Sequence, residues 1–110
     1  NPKNIVDLGC ATGLWLELLN DILPSDCEFI GIDSDKESLK LATERSKLWD
    51  RKVKFLHLDL EKEVDKIPPS DITLAFNIFP YIDDLDSFIK ALWNRSPHGV
   101  LAVRQYDGRV

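Results

Sequence analysis

A chain of 110 residues with 44% apolar and 30% charged residues can bury the core of one ordinary domain, which excludes intrinsic disorder. Its apolar runs fall far short of the roughly 20 residues that a membrane helix needs. With 14 Lys plus Arg against 19 Asp plus Glu the formal net charge is −5, which argues against a broad basic nucleic-acid surface on this segment.

Short β-branched runs alternate with longer helical stretches, the pattern of βαβ units around a mainly parallel sheet. The first strand covers residues 4–8 and ends at Gly9. From about 13 to 22, Leu14, Trp15, Leu18, Leu19 and Ile22 recur at helical spacing and are expected to form the buried face, with Pro24 as the stop. Residues 29–33 make a second strand. Ser34 and Glu37 fit an S-x-x-E capping box, opening a helix through Leu39, Leu41 and Ala42 to about Leu48.

Residues 53–58 read as a third strand, followed by a charged stretch to Lys66 without a helical pattern and by the Pro68-Pro69 pair, which is extended or a turn. Residues 72–76 form a fourth strand buried on both faces. Asp83 or Asp84 caps a helix whose Leu85, Phe88, Ile89, Leu92 and Trp93 share one face, and Pro97 and Gly99 end it. Residues 100–103 make a fifth strand, with room to extend to Tyr106 before a turn at Asp107-Gly108. Trp15, Trp49 and Trp93 all read as packing residues. The expected fold is one α/β domain, a Rossmann-like open sheet with helices on both faces. Ligands of such sheets settle outside the carboxyl ends of the strands where strand order reverses, which points to the ends of the first and fourth strands.

The chain has no Met and opens at Asn1 almost directly on a strand, so residues 1–110 are expected to be a piece of a longer protein, incomplete at both ends and lacking the last strands of the sheet. Cys10 and Cys27 are too few for a disulfide framework and follow no signal-like segment, which points to a reducing, cytoplasmic setting. His57 and His98 are not grouped with Cys or carboxylates at metal-binding spacing, so no metal site is expected.

The loop after the first strand is Asp7-Leu8-Gly9-Cys10-Ala11-Thr12-Gly13. It is not a P-loop, which needs four residues between its glycines and a Lys after the second; here three intervene and Leu14 follows. It is a poor dinucleotide fingerprint too, because Ala11 and Leu14 stand where G-x-G-x-x-G wants glycine. The pattern Asp7-x-Gly9-x-Ala11-x-Gly13 resembles the D/E-x-G-x-G-x-G loop of class I S-adenosylmethionine-dependent methyltransferases. The resemblance continues in order along the chain: a second strand ending in Asp33, Asp59 after the third strand, the fourth strand ending in Asn77, and the fifth strand after Gly99.

That resemblance implies a methyltransferase whose cofactor is S-adenosylmethionine. Gly9, Cys10, Ala11 and Gly13 would lie against its methionine part, with Asp7 near the amino group through water and Asn77 beside the methionine. Asp33 would accept from both ribose hydroxyls with Ser34 at the adenine. Asp59 would accept from the adenine amino group while the Leu60 backbone reads the ring edge. Ala11 departs from the family's glycine, tolerable if its φ is negative; Ser34 replaces a bulky apolar residue; and Pro80 and Tyr81 stand where many small-molecule members carry histidine. No catalytic residue is identified, His57 and Tyr81 being weak candidates for a base. Cys10 reads as a loop filler, and Phe79 and Tyr81 as core or lid aromatics. The methyl acceptor, a small molecule or otherwise, and the oligomeric state stay open. A non-catalytic regulatory or scaffold subunit of the same fold is the alternative, and an aminopropyl transferase shares the first loop.

Overall fold

In the computed structural model the described residues are 2–76, 78, 82–95 and 99–104, with backbone alone for 101–104. Expectations about Asn77, Phe79, Pro80, Tyr81, Pro97, His98, Tyr106 and the turn at 107–108 therefore fall outside the described residues.

Among the described residues five strands form, β1 Asn4–Leu8, β2 Glu28–Asp33, β3 Val53–His57, β4 Ile72–Phe76 and β5 Val100–Arg104. Within the same residues three helices connect them, α1 Leu14–Asn20, α2 Lys36–Ser46 and α3 Leu85–Arg95, and a 3-10 turn lies at Val64–Lys66 in the charged stretch. All strand pairs are parallel, in the order β3-β2-β1-β4-β5. Strand order reverses between β1 and β4, where sequence reasoning put the ligand crevice.

β1 is buried on both faces, as a central parallel strand must be. Successive side chains alternate across the sheet. Val6 and Leu8 join Ile30, Ile32, Ala75, Phe88 and Leu92 in the α3 layer, while Ile5 joins Leu16, Phe29, Trp49 and Leu74 in the α1 layer. At the other end of the sheet Asp71 accepts from the Lys3 N–H at 2.6 Å and donates its own N–H to Asn4 Oδ1 at 2.9 Å, pinning the start of β4 to β1.

Three local expectations are corrected. α1 turns a different stripe inward: Leu16 is fully buried with Leu19 and Leu23 packed beside it, whereas Leu14, Trp15, Leu18 and Ile22 are 59%, 40%, 57% and 74% exposed. The segment Leu14–Asn20 is apolar nearly all round, so periodicity alone could not choose between its stripes. The α2 cap is Asp35, whose carboxylate accepts from the Glu37 N–H and the Ser38 hydroxyl, one residue past the expected Ser34, and Leu41 and Leu48 point to solvent. In α3 Asp84 caps through the Ser87 N–H, and Phe88 and Leu92 are buried as expected, but Trp93 is exposed. Of the three tryptophans only Trp49 is a buried packing residue.

Candidate active site

A cavity of about 510 Å³ opens at the carboxyl ends of β1, β2, β3 and β4. Gly9, Cys10, Ala11, Asp33, Ser34, Asp59 and Leu60, each named from sequence, line it together. Gly13 and Asp7 do not. Gly13 is buried as the α1 N-cap residue against Ala42, and Asp7 lies beneath the floor, 1% exposed.

The loop from β1 to α1 is held by β2. The N–H groups of Gly9 and Cys10 both donate to the Ile32 carbonyl, at 2.8 and 3.0 Å, which folds the chain back over the end of its neighbour. Gly9 takes φ +69°, and a Cβ there would stand 2.6 Å from Ile78 Cγ2, so glycine is required for conformation and for space alike. Ala11 also has positive φ, +50°, so the condition for tolerating alanine there at little cost is not met. The conformation is compensated by a bond from its N–H to Asp33 Oδ2 at 2.8 Å.

Asp33 ends β2, and its other oxygen, Oδ1, accepts from the Asp35 N–H at 2.9 Å. A carboxylate offers about four acceptor positions, so two backbone bonds leave capacity for two hydroxyls. Asp59 Oδ1 accepts from the N–H groups of Glu61 and Lys62 at 3.1 and 3.0 Å, which holds the exposed carboxylate at the β3 edge of the cavity.

Asp7 Oδ2 is buried without a hydrogen-bond partner. Burial first, and the Asp33 charge second, push its pKa up from 3.8 to about 7. A buried carboxylate with one orphaned oxygen beside a glycine loop fits a site completed by a bound donor or cation. The Cys10 thiol is raised far above its ordinary value by burial and then by Asp7 and Asp33, so it is no thiolate nucleophile. His57 stands outside the cavity, exposed, with Nε2 2.9 Å from the Ser34 carbonyl oxygen, a local structural contact.

Sequence reasoning missed several lining residues. The helical period points Leu14 and Trp15 to the core and the apolar run puts Phe76 on a strand buried on both faces, yet all three line the cavity, with the Trp15 and Phe76 rings edge to face at 5.1 Å between centroids. Glu61 could have been found from its place two residues past Asp59. Gly31, which the sequence marks only as part of the second strand, does not line the cavity but shapes it: a Cβ there would meet Phe55 at 2.7 Å and Cys10 Sγ at 2.9 Å, so its bare backbone lets the loop close over β2.

Residues 6–100 match the family described as "Methyltransferase domain". The chain is 33% identical over 106 residues to trans-aconitate 2-methyltransferase of Rhizobium leguminosarum bv. trifolii (strain WSM2304), covering 96% of this chain and 39% of that enzyme. It is 32% identical over 106 residues to carboxy-S-adenosyl-L-methionine synthase of Helicobacter pylori (strain P12), covering 93% of this chain and 42% of that enzyme. It thus spans about two fifths of the length of either relative. Among solved structures, coclaurine N-methyltransferase bound to N-methylheliamine and SAH superposes with a TM-score of 0.80 at 16% identity over 91% of this chain and 30% of that one. The plantazolicin methyltransferase BpumL with SAH superposes with a TM-score of 0.72 at 24% identity over 87% of this chain and 35% of that one; likeness at these identities concerns the fold. With 95 of its 110 residues matched to the methyltransferase domain and the glycine loop and strand-end acids gathered at one cavity, the chain belongs to the class I S-adenosylmethionine-dependent methyltransferases.

Proposed function

We propose that residues 1–110 are the cofactor-binding core of a protein that transfers a methyl group from S-adenosylmethionine to an acceptor. One observation carries this reading. Asp33 and the loop from Gly9 to Ala11 meet at a cavity at the point where strand order reverses, tied by the bond from Ala11 N to Asp33 Oδ2.

The bound cofactor supplies the electrophilic methyl group, so the protein's task is to bind, orient and exclude water. Asp33, fixed by two backbone donors, accepts from the ribose hydroxyls with the oxygen capacity left over. Asp59, held by its own turn, accepts from the adenine amino group, and the Leu60 backbone and Ser34 lie along the ring. Gly9, Cys10, Ala11 and Gly13 shape the backbone that the methionine part lies against, and the resemblance puts Asn77 beside the methionine. Asp7, buried beneath the loop, balances the amino group through water, which gives its orphaned oxygen a partner. One relative is named for a methyl acceptor, trans-aconitate, and the other for making carboxy-S-adenosyl-L-methionine, and the glycine loop is the part expected to be common to both.

No helix among the described residues is long and apolar enough to cross a membrane, and the two free cysteines support a cytoplasmic setting. The test is calorimetric titration of the intact protein with S-adenosylhomocysteine, alongside methyl transfer from labelled cofactor. Binding in the micromolar range is expected, and a folded protein that does not bind overturns the reading.

A further inference from the structure

The strands run β3-β2-β1-β4 across the mouth of the cavity, and the walls change character along that row. At the β3 and β2 end the lining is acidic and polar: Asp33, Ser34, Asp35, Ser38, Asp59 and Glu61. At the β1 and β4 end it is apolar: Leu14, Trp15, Phe76, Ile78 and Ile82. Among the described residues no Lys, Arg or His lines either end.

This inference rests on the methyltransferase reading. With Asp33 at the ribose and Asp59 at the adenine, the nucleoside takes the acidic end and the methionine part lies on the β1 loop. The space left for an acceptor is beyond that loop, against Leu14, Trp15 and Phe76. Trp15 is 40% exposed and Leu14 59%, so these side chains contribute to the cavity wall without being consumed by the core. Trp15 stands with its ring at 63° to Phe76, which makes an aromatic corner suited to a flat ring or to a cation beside a ring face.

We infer that the methyl acceptor is a small molecule that lays an aromatic face against Trp15 and Phe76. In the transfer the acceptor's lone pair forms the new bond to the methyl carbon as the carbon–sulfur bond breaks. The sulfur keeps that electron pair, and an amine or hydroxyl acceptor gives up its proton to solvent.

The experiment uses the intact protein with labelled S-adenosylmethionine and three sets of acceptors: aryl amines and phenols such as tyramine, aliphatic amines such as putrescine, and polycarboxylates such as trans-aconitate. Label is expected in the aryl set. For the acceptor so found, Trp15→Ala should raise KM at least 10-fold with the Kd for S-adenosylhomocysteine within about 2-fold, while Trp15→Phe restores most of the loss. Label confined to the polycarboxylates or the aliphatic amines overturns the inference, as does a Trp15→Ala protein with an unchanged acceptor KM, including one that merely melts earlier because the rest of the protein covers Trp15. Failure of the methyltransferase reading looks different, since the wild-type protein would then not bind S-adenosylhomocysteine at all.

Discussion

The backbone N–H of Ala11 donates to Asp33 Oδ2 at 2.8 Å, so the residue at the end of β2 holds the loop at the end of β1. Asp33 thereby has two tasks, fixing the loop and offering its remaining acceptor positions to the ligand. Asp33→Ala removes both. With charge-assisted bonds worth roughly 1.5–3 kcal/mol each, discounted for solvent at the cavity rim, the expected loss is about 2–3 kcal/mol, or about 30-fold to 150-fold in affinity for S-adenosylhomocysteine. Calorimetry on the variant checks this, with a melt to show that the fold survives; affinity equal to wild type in a folded variant refutes the ribose assignment.

Ala11 itself sits at φ +50°, where an L-residue costs roughly 1–2 kcal/mol against about 0.5–1 kcal/mol of extra chain entropy for glycine. Ala11→Gly is therefore expected to stabilise the protein by about 0.5–1 kcal/mol, and Ala11→Val to destabilise it because a β-branched residue tolerates this conformation worst. Urea denaturation of the three proteins gives the ranking, and a less stable glycine variant would contradict it.

Gly31→Ala tests how the loop closes. The added methyl would meet Phe55 and Cys10 Sγ within 3 Å, and overpacking of this kind costs about 1–3 kcal/mol. Because Cys10 belongs to the loop, cofactor affinity should fall together with stability. Loss of stability without any change in binding would show that Phe55 alone gives way.

Arg51 makes the opposite kind of change possible, at the amino ends of the strands. Its guanidinium donates to the carbonyls of Asn20, Leu23, Pro24 and Cys27 and to Asn20 Oδ1, and lies 4.1 Å from the centroid of the Phe29 ring. Arg51→Met keeps the stem and strands these acceptors, so a loss of about 2–4 kcal/mol is expected with ligand affinity nearly unchanged. Arg51→Lys should recover little, since an ammonium cannot reproduce the planar fork.

Asp7 supplies a pH dependence. Its carboxyl titrates near 7 in the folded protein against 3.8 in the unfolded chain, so between those values the folded state holds a proton that the unfolded state has lost. Stability from this group is therefore full below about pH 4, declines as pH rises towards 7, and is flat above it, a total of up to about 4 kcal/mol. Asp7→Asn should flatten the profile between pH 4 and 7 and raise stability at pH 8. A profile identical to wild type would show that Asp7 is not the group responsible.

The order of strands and helices along the chain, and the acids at the ends of β2 and β3, were legible in the sequence because each rests on local signals: apolar period, strand-breaking residues, and the position of Asp33 and Asp59 just past a buried run. The tertiary structure decided what those signals leave equivalent. α1 is apolar on nearly every side, and only packing against Ile5 and Phe29 selects Leu16 for the core and leaves Trp15 at the cavity. Asp33 read as a ligand acid from its place in the chain, but its bond to Ala11 joins residues 22 positions apart and exists only once β1 and β2 are paired. The same pairing closes the loop over Gly31 and shuts Asp7 away from water with one oxygen unpartnered, a consequence of burial that no spacing of residues along the chain records.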